Sequence, residues 1–395
     1  MQCYIKDRRN AYRRLGDYIR EVEVRNTDLK VTRLVGLTID KAFIPSVANV
    51  IGTDLSKYKV IKKEQFACSL MQVSRDGKMP VAMFEGDMPA IMSPAYPLFE
   101  VIDTTKLLPQ YLMMWFSRKE FDREACFYAV GGVRGSLTWE DFCDMTLPIP
   151  PIARQREIVA EYAMLANRIR LNNRMISTLE STAQALYRKM FVEGIDKDHL
   201  PEGWRMGTIG DICEINTDTI SSQDKLKEIR YLDSSSVTQN VFEECQMFNA
   251  QKDEIPSRAK RKVRYNDIVY STIRPNLKHY GLVKDNVENL VVSTGFAVIR
   301  SNNKYISNEL LYMLLVDDTN TDTLQGIAEM SKATYPSITP DNIKDLKVYI
   351  PMNMEGCFEV INKQLQCVCD TIHIKHTENK KLTKLQSLLL AKMGQ

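Results

Sequence analysis

Much that would mark a familiar class of protein is missing from this sequence. No two of its nine cysteines form a Cys-x-x-Cys pair, so neither a disulfide framework nor a zinc ribbon is indicated. No apolar run approaches the roughly 20 residues that span a bilayer. The start, Met1-Gln2-Cys3-Tyr4-Ile5-Lys6-Asp7-Arg8-Arg9, lacks the apolar stretch of a signal peptide. Charge of one sign is scarce too: 53 Lys plus Arg against 50 Asp plus Glu leave +3, so a basic surface can come only from clustering. These absences predict a reduced, cytoplasmic, soluble protein with no membrane partner. The 44% hydrophobic and 26% charged content over 395 residues is globular and suffices for two to three domains.

Catalytic signatures are absent as well. Transfer to a base's exocyclic amine needs an Asn/Asp/Ser-Pro-Pro-aromatic loop, and the nearest segment, Ser93-Pro94-Ala95-Tyr96, lacks the second proline. Gly131-Gly132-Val133-Arg134-Gly135 follows no strand of the nucleotide-binding kind, and no Gly-x-x-x-x-Gly-Lys-Ser/Thr occurs. Pro340-Asp341 with Asp345-Leu346-Lys347 imitates a metal-dependent nuclease, but its two acids stand only four apart and the matching turn at Thr138-Trp139 has no such set. Cys369, His373 and His376 share a helical face at i, i+4 and i+7 without a fourth ligand nearby, so no metal site is assigned. Both halves read as binding modules without catalytic residues.

What is present is a repeat. Leu15-Gly16-Asp17-Tyr18-Ile19 returns as Ile209-Gly210-Asp211-Ile212, and Gln65-Phe66-Ala67-Cys68-Ser69 as Asp267-Ile268-Val269-Tyr270-Ser271. Ile91-Met92-Ser93 matches Val291-Val292-Ser293, and the turn Ser136 to Phe142 matches Ser337 to Ile343. Both copies then reach a short strand ending in proline, Met145 to Pro151 and Leu346 to Pro351, with the offset between 194 and 202 throughout. Short β-rich runs (Phe66 to Val73, Val263 to Ile273) mix with predicted helices at Pro109 to Phe121 and Ser307 to Leu315.

A long helical pattern follows each proline stop. In the first, Ile158, Tyr162, Leu165, Ile169, Ile176, Leu179, Ala183, Leu186 and Met190 recur at spacings of mostly four and three, with Asn172 the polar exception; this is a heptad seam. Over residues 153–192 such a helix is about 60 Å long at 1.5 Å per residue. In the second, Ile361, Leu365, Val368, Ile372, Leu382, Leu385, Leu389 and Met393 give a similar seam, interrupted by polar residues from Lys375 to Asn379. The two seams are expected to pair antiparallel; the alternative is that each helix packs on its own domain. The fold class is therefore mixed α/β, with globular domains at 1–150 and 195–350 and spacer helices at 151–194 and 351–395. Asn172, polar within the seam, is expected to fix register.

Basic residues cluster locally. Arg258-Ala259-Lys260-Arg261-Lys262-Val263-Arg264 holds five cations in seven residues, followed by Arg274-Pro275-Asn276 and Lys278-His279-Tyr280. The first half has Arg8, Arg9, Arg13, Arg14, Lys62, Lys63 and Arg134 in its glycine loop. Cations among polar and aromatic side chains suit phosphate neutralisation and base-edge contact. The candidate DNA-binding residues are Arg134 and Ser136 in the first half, and Arg258, Lys260, Arg261, Lys262, Arg274, Lys278, Lys332 and Tyr335 in the second.

The tract Leu147-Pro148-Ile149-Pro150-Pro151-Ile152-Ala153-Arg154-Gln155-Arg156-Glu157-Ile158-Val159 resembles the start of the long helix in specificity subunits of type I restriction–modification systems. Gly135-Ser136-Leu137-Thr138, Leu186-Tyr187-Arg188-Lys189-Met190-Phe191 and Leu200-Pro201-Glu202-Gly203-Trp204-Arg205 resemble the same family. Arg154 stands where the family usually has Glu, and the second copy, Pro351 to Gly356, keeps little of the motif. The resemblance implies a non-catalytic subunit with two target recognition domains, each reading half of a bipartite asymmetric sequence in double-stranded DNA. The readers would address segments about one helical turn, roughly 34–36 Å, apart. It further implies two modification (methyltransferase) subunits on the spacer helices, restriction (translocase–nuclease) subunits joining them, and S-adenosylmethionine, ATP and Mg2+ on those partners. The alternative is a non-catalytic adaptor whose duplicated domains bind protein.

Overall fold

The structure, a computed structural model, describes residues 12–46, 52–71, 73–129, 135–193, 195–196, 199–221, 224, 226–331, 335–352 and 357–394. It divides into two compact units, one of Met1–Arg170 with Lys380–Gln395 and one of Leu171–Asn379.

The first unit is built on a four-stranded antiparallel sheet in the order Ile19–Glu21, Leu98–Val101, Phe66–Cys68, Val81–Met83. Phe66–Cys68 is apolar on both faces because both are covered. Phe66 and Phe99 stack with ring centroids 5.0 Å apart, and Phe116 and Phe142 close the cluster. The strand Tyr12–Arg14 pairs with Thr146–Pro148, tying the unit's first strand to the one before the first long helix.

The second unit repeats this plan. Its sheet runs Cys213–Ile215, Phe296–Ser301, Ile268–Ser271, Tyr280–Leu282, also antiparallel throughout. Trp204–Thr208 pairs with Lys347–Pro351, as Tyr12–Arg14 does with Thr146–Pro148. Helices recur in place: Pro109–Phe116 with Asn308–Leu315, Lys119–Tyr128 with Asp318–Glu329, and Trp139–Asp144 with Pro340–Lys344. The capping chemistry recurs too. Thr138 and Thr339 each cap the last of these helices by accepting from a backbone N–H three residues on. The second unit adds a sheet in the order Gln246–Asn249, Glu228–Leu232, Leu290–Ser293, Ala259–Lys262, whose counterpart in the first is the pair Lys59–Ile61 and Ala90–Met92.

Several elements are shorter than their hydrophobic patterns. The helix expected at Pro109 to Phe121 is two, because Arg118 takes an extended conformation to lay its guanidinium 4.0 Å from the Trp115 ring centroid. The strand expected from Val263 starts at Ile268, since Asp267 folds back to accept the N–H of Arg264 at 2.8 Å. Pro340-Asp341 begins a capped helix in which Asp341 pairs with Lys344 at 3.4 Å, a local structural job.

The long helices are Ile152–Phe191 and Cys357–Lys392. In the first unit Ile158 and Tyr162 of the one, Leu390 of the other and Met393 just past its end join the domain core; Leu165, Ile169, Leu382 and Leu389 are half-buried. In the second unit Ala183, Tyr187 and Phe191 meet a core that includes Phe358, Ile361 and Leu365. Ile176 and Ile372 are buried, and Leu179 and Leu186 half-buried. There the helices run antiparallel: Asn172 donates to Asn379 at 2.9 Å, while Phe191 lies 5.8 Å from Phe358. Pairing with each other and packing on the domains thus occur together. Leu385, placed on the seam by its spacing, is instead 49% exposed.

Candidate nucleic-acid interface

In the second unit the strands Ile268–Ser271 and Tyr280–Leu282 form a hairpin whose connection carries Arg274 to Lys278. Proline at 275 disfavours the right-handed helical region for the residue before it. Arg274 takes φ 47°, ψ 71°, and Lys278 takes φ 55°, ψ 37°. Hydrogen bonds lace this connection to its neighbours. The N–H of Arg274 donates to Pro336 O at 2.9 Å, that of Ile338 to Thr272 O at 2.8 Å, and that of Thr272 to Gly295 O at 2.8 Å. Thr294 N–H donates to Arg258 O at 2.9 Å and Gln239 N–H to Lys278 O at 3.1 Å. Five loops, around residues 239, 258, 274, 294 and 336, therefore form one rim. Gln239 and Asn240 also have positive φ (45° and 63°). Left-handed non-glycine residues cost of order 1 kcal/mol each and gather where a surface must hold an unusual shape.

Charge on the rim is only partly available. Ala259–Lys262 is an edge strand with Ala259 buried and Lys260 exposed. Lys262 pairs with Asp224 at 2.6 Å, and its hydrogen bond holds that carboxyl below the usual carboxylate range. Arg264 pairs with Asp218 at 2.6 Å, and Lys278 with Asp318 at 3.4 Å. Arg261 is half-buried. Among the described residues Arg258, Lys260 and Arg274 are exposed and make no ion pair. The Arg274 guanidinium sits over Tyr335, 5.1 Å from the ring centroid, and Tyr335 is itself exposed. Lys332 lies outside the described residues, as does Arg134.

The first unit has the same join in plainer form. Leu137 N–H donates to Leu70 O at 2.8 Å, the counterpart of Ile338 to Thr272, and Ser136 beside it is half-buried. Gly135 has φ 69°, a conformation that strains other residues, and a Cβ there would stand 2.0 Å from Ser74 Oγ and force that hydroxyl to turn away.

The sequence tracts singled out by resemblance become contacts. Gln155 is wholly buried: its Oε1 accepts from Leu108 N–H at 2.9 Å, and its Nε2 donates to Lys106 O at 2.7 Å and Pro150 O at 2.8 Å. It fastens the first long helix to its domain. Tyr187, Phe191, Trp204 and Phe358 form one aromatic cluster, with Phe191 5.4 Å from Trp204. Arg188 binds Asp317 at 3.0 Å, the cap of the helix Asp318–Glu329.

Other features escaped the sequence reading. Asn362, in the second long helix, donates to Tyr305 O at 2.9 Å and accepts from Ser307 N–H at 3.3 Å. These are the atoms Gln155 grips at Lys106 and Leu108, 199 residues earlier. The Lys284 side chain is 3% exposed, and its ammonium lies 2.7 Å from Glu309 and 2.8 Å from Asp370. Asn379 closes the polar interruption of the second seam against Asn172, and donates to Asn173 at 2.7 Å. Cys369 is buried, its thiol pushed up to about 12 by desolvation, and His373 pairs with Asp285 at 3.1 Å. Among the described residues no cluster of three metal ligands occurs, and no helix is long and apolar enough to cross a membrane.

Residues 201–384 match the family model described as the type I restriction modification DNA specificity domain. The chain is 32% identical over 148 residues to the type I restriction enzyme HindI specificity subunit of Haemophilus influenzae, a match covering 38% of this chain and 32% of that protein. The chain thus spans about a third of the length of this relative. It is 22% identical to the putative type I restriction enzyme MjaX specificity subunit of Methanocaldococcus jannaschii, over 89% of this chain and 82% of that one. The crystal structure of a type I restriction–modification system S subunit from M. genitalium shares the fold: TM-score 0.58, 12% identity, 97% and 95% coverage.

Proposed function

We propose that the chain is the DNA-reading subunit of a type I restriction–modification complex, because residues 201–384 match that family's DNA specificity domain and the chain is similar to two specificity subunits. Each domain reads one half of a bipartite asymmetric target in double-stranded DNA. The chain itself is non-catalytic. Two modification subunits bind the long helices and carry S-adenosylmethionine and the methyl-transfer chemistry; restriction subunits add ATP- and Mg2+-dependent translocation and cleavage. The complex works in the cytoplasm of a bacterium or archaeon.

One observation carries this reading. The DNA specificity match at 201–384 lies over the second copy of a topology that the chain contains twice. Exposed Arg258 and Lys260 on the second rim suit phosphates, which set register, while a few rim side chains suit base edges. The test is co-expression with a modification subunit and methylome sequencing. Methylation at one asymmetric, two-part sequence is expected, with substitutions in the second rim altering one part only. Methyl transfer by the rigorously purified chain alone, or a partner complex that methylates without sequence preference, would overturn the assignment.

A further inference from the structure

Arg274 differs from every other cation on the second rim. Its backbone is held on both sides: its N–H donates to Pro336 O, its C=O accepts from Leu277 N–H at 2.9 Å, and Pro275 follows it. Its side chain is held by the Tyr335 ring, and no carboxylate among the described residues neutralises it. Lys262, Arg264 and Lys278 all face carboxylates. A phosphate contact requires neither a strained, fixed backbone nor a stacked guanidinium, since a flexible cation serves. Such pre-organisation pays only where direction matters.

A guanidinium stacked on a ring donates from its edge, as a planar fork of N–H groups. Guanine O6 and N7 are the two adjacent acceptors that match this fork in the major groove. Adenine offers one acceptor beside a donor, and cytosine presents a donor where the fork also donates. We infer that Arg274 reads a guanine in the half-site of the second domain, with Tyr335 as its positioning residue; this rests on the DNA-reading role proposed above.

The test uses the full chain with its modification subunits, a library of duplexes randomised over the target, and three variants: Arg274→Lys, Arg274→Ala and Tyr335→Ala. Arg274→Lys keeps the charge but loses the fork. It should lower discrimination at one G·C pair roughly ten- to a hundredfold while leaving the other letters and the salt dependence unchanged. Tyr335→Ala should relax the same pair by a smaller factor, a readout that a merely structural tyrosine would not give. Thermal unfolding identifies any variant that fails to fold, and Arg274→Lys, which preserves the charge and the aliphatic stem, decides the matter if the alanine variant does. Weakening of all sequences alike, relaxation at an A·T pair, or unchanged selectivity in folded Arg274→Lys would each overturn the inference while leaving the DNA-reading role intact. A wild-type complex that selects no sequence at all would instead sink that role, and the inference with it.

Discussion

The two long helices are fastened to their domains by the same backbone atoms but by different side chains. In the first unit Gln155, three residues into its helix and announced by Pro150-Pro151, grips Lys106 O and Leu108 N–H. In the second, Asn362 grips Tyr305 O and Ser307 N–H from a position 207 residues after Gln155, although the gripped atoms are offset by 199. Eight residues along a helix are a little over two turns, so the second helix passes the same loop later in its course. The second unit adds the Lys284–Glu309–Asp370 triad, joining its sheet and helix Asn308–Leu315 to the second long helix. The repeat has therefore preserved a mechanical attachment while replacing the residues that make it. Similarity of sequence motif is a poor guide to whether the attachment is present.

The largest expected effect separates the ionic attachment from the neutral ones. Lys284→Ala strands Glu309, whose side chain is 3% exposed, and should destabilise the second unit by about 3–5 kcal/mol in denaturant unfolding, the usual cost of breaking a buried pair. A loss below about 1 kcal/mol would show that water reaches the triad. Burial lowers the Lys284 pKa, but the hydrogen bonds its ammonium donates to Asp370 and Glu309 outweigh it and raise the group above the ordinary lysine value. A raised folded pKa means that this stability is full below the unfolded value and is lost as pH rises through the folded one. Unfolding followed between pH 9 and 12, about the ordinary lysine range, should thus show an alkaline loss in the native chain that Lys284→Met lacks.

Next come the two clamps. Gln155→Ala leaves two carbonyls and one N–H without their partner in a site with no solvent exposure, and should cost about 2–3 kcal/mol in all. Asn362 is half-buried and makes two such bonds, so Asn362→Ala should cost about 1–2 kcal/mol. Equal losses would mean that burial does not set the difference between the two attachments.

What could be read in the sequence follows from where the information lies. The repeat and the helices were legible because continuous apolar strands and a heptad seam are side-chain patterns, and Phe66, Ile268, Ile176 and Leu365 are all buried as such patterns require. The Asn362 clamp was not, because its partners are backbone atoms, which no residue identity announces. Nor was the partial neutralisation of the basic run: Asp224 and Asp218 lie about forty residues from the cations they pair with. Of the rim's left-handed residues only Asn240 carried a signal, asparagine being enriched in that region, while the proline after Arg274 announced only a non-helical residue. The phosphate role of the basic run is tested by neutralising Lys260, Arg261 and Lys262. Neutralising all three should weaken every sequence alike and flatten the salt dependence by up to about one unit per lost phosphate contact. Since Lys262 already pairs with Asp224, its share should be the smallest.

The smallest expected change lies at the polar layer, where both seams break together. Asn172 is 3% exposed and donates to Asn379, which in turn donates to Asn173. Each seam carries one polar interruption in the sequence, and in the folded second unit Asn172 and Asn379 satisfy one another. Asn172→Leu should cost about 1 kcal/mol, because Asn379 loses one partner and keeps the other. Changing both, Asn172→Leu with Asn379→Leu, removes the stranded group and buries apolar surface. Its unfolding free energy should match or exceed that of the native chain, by up to about 1 kcal/mol. The single and double variants should thus move in opposite directions, with a coupling of about 1–2 kcal/mol between sites 207 residues apart. If the layer's job is register and not strength, as for a polar residue inside a coiled-coil seam, the double variant should also trade some uniqueness for that stability. Cysteines introduced at facing positions of the two helices would then cross-link in more than one register. A double variant less stable than either single one would mean that the asparagines hold the helices together, and the register argument would fall.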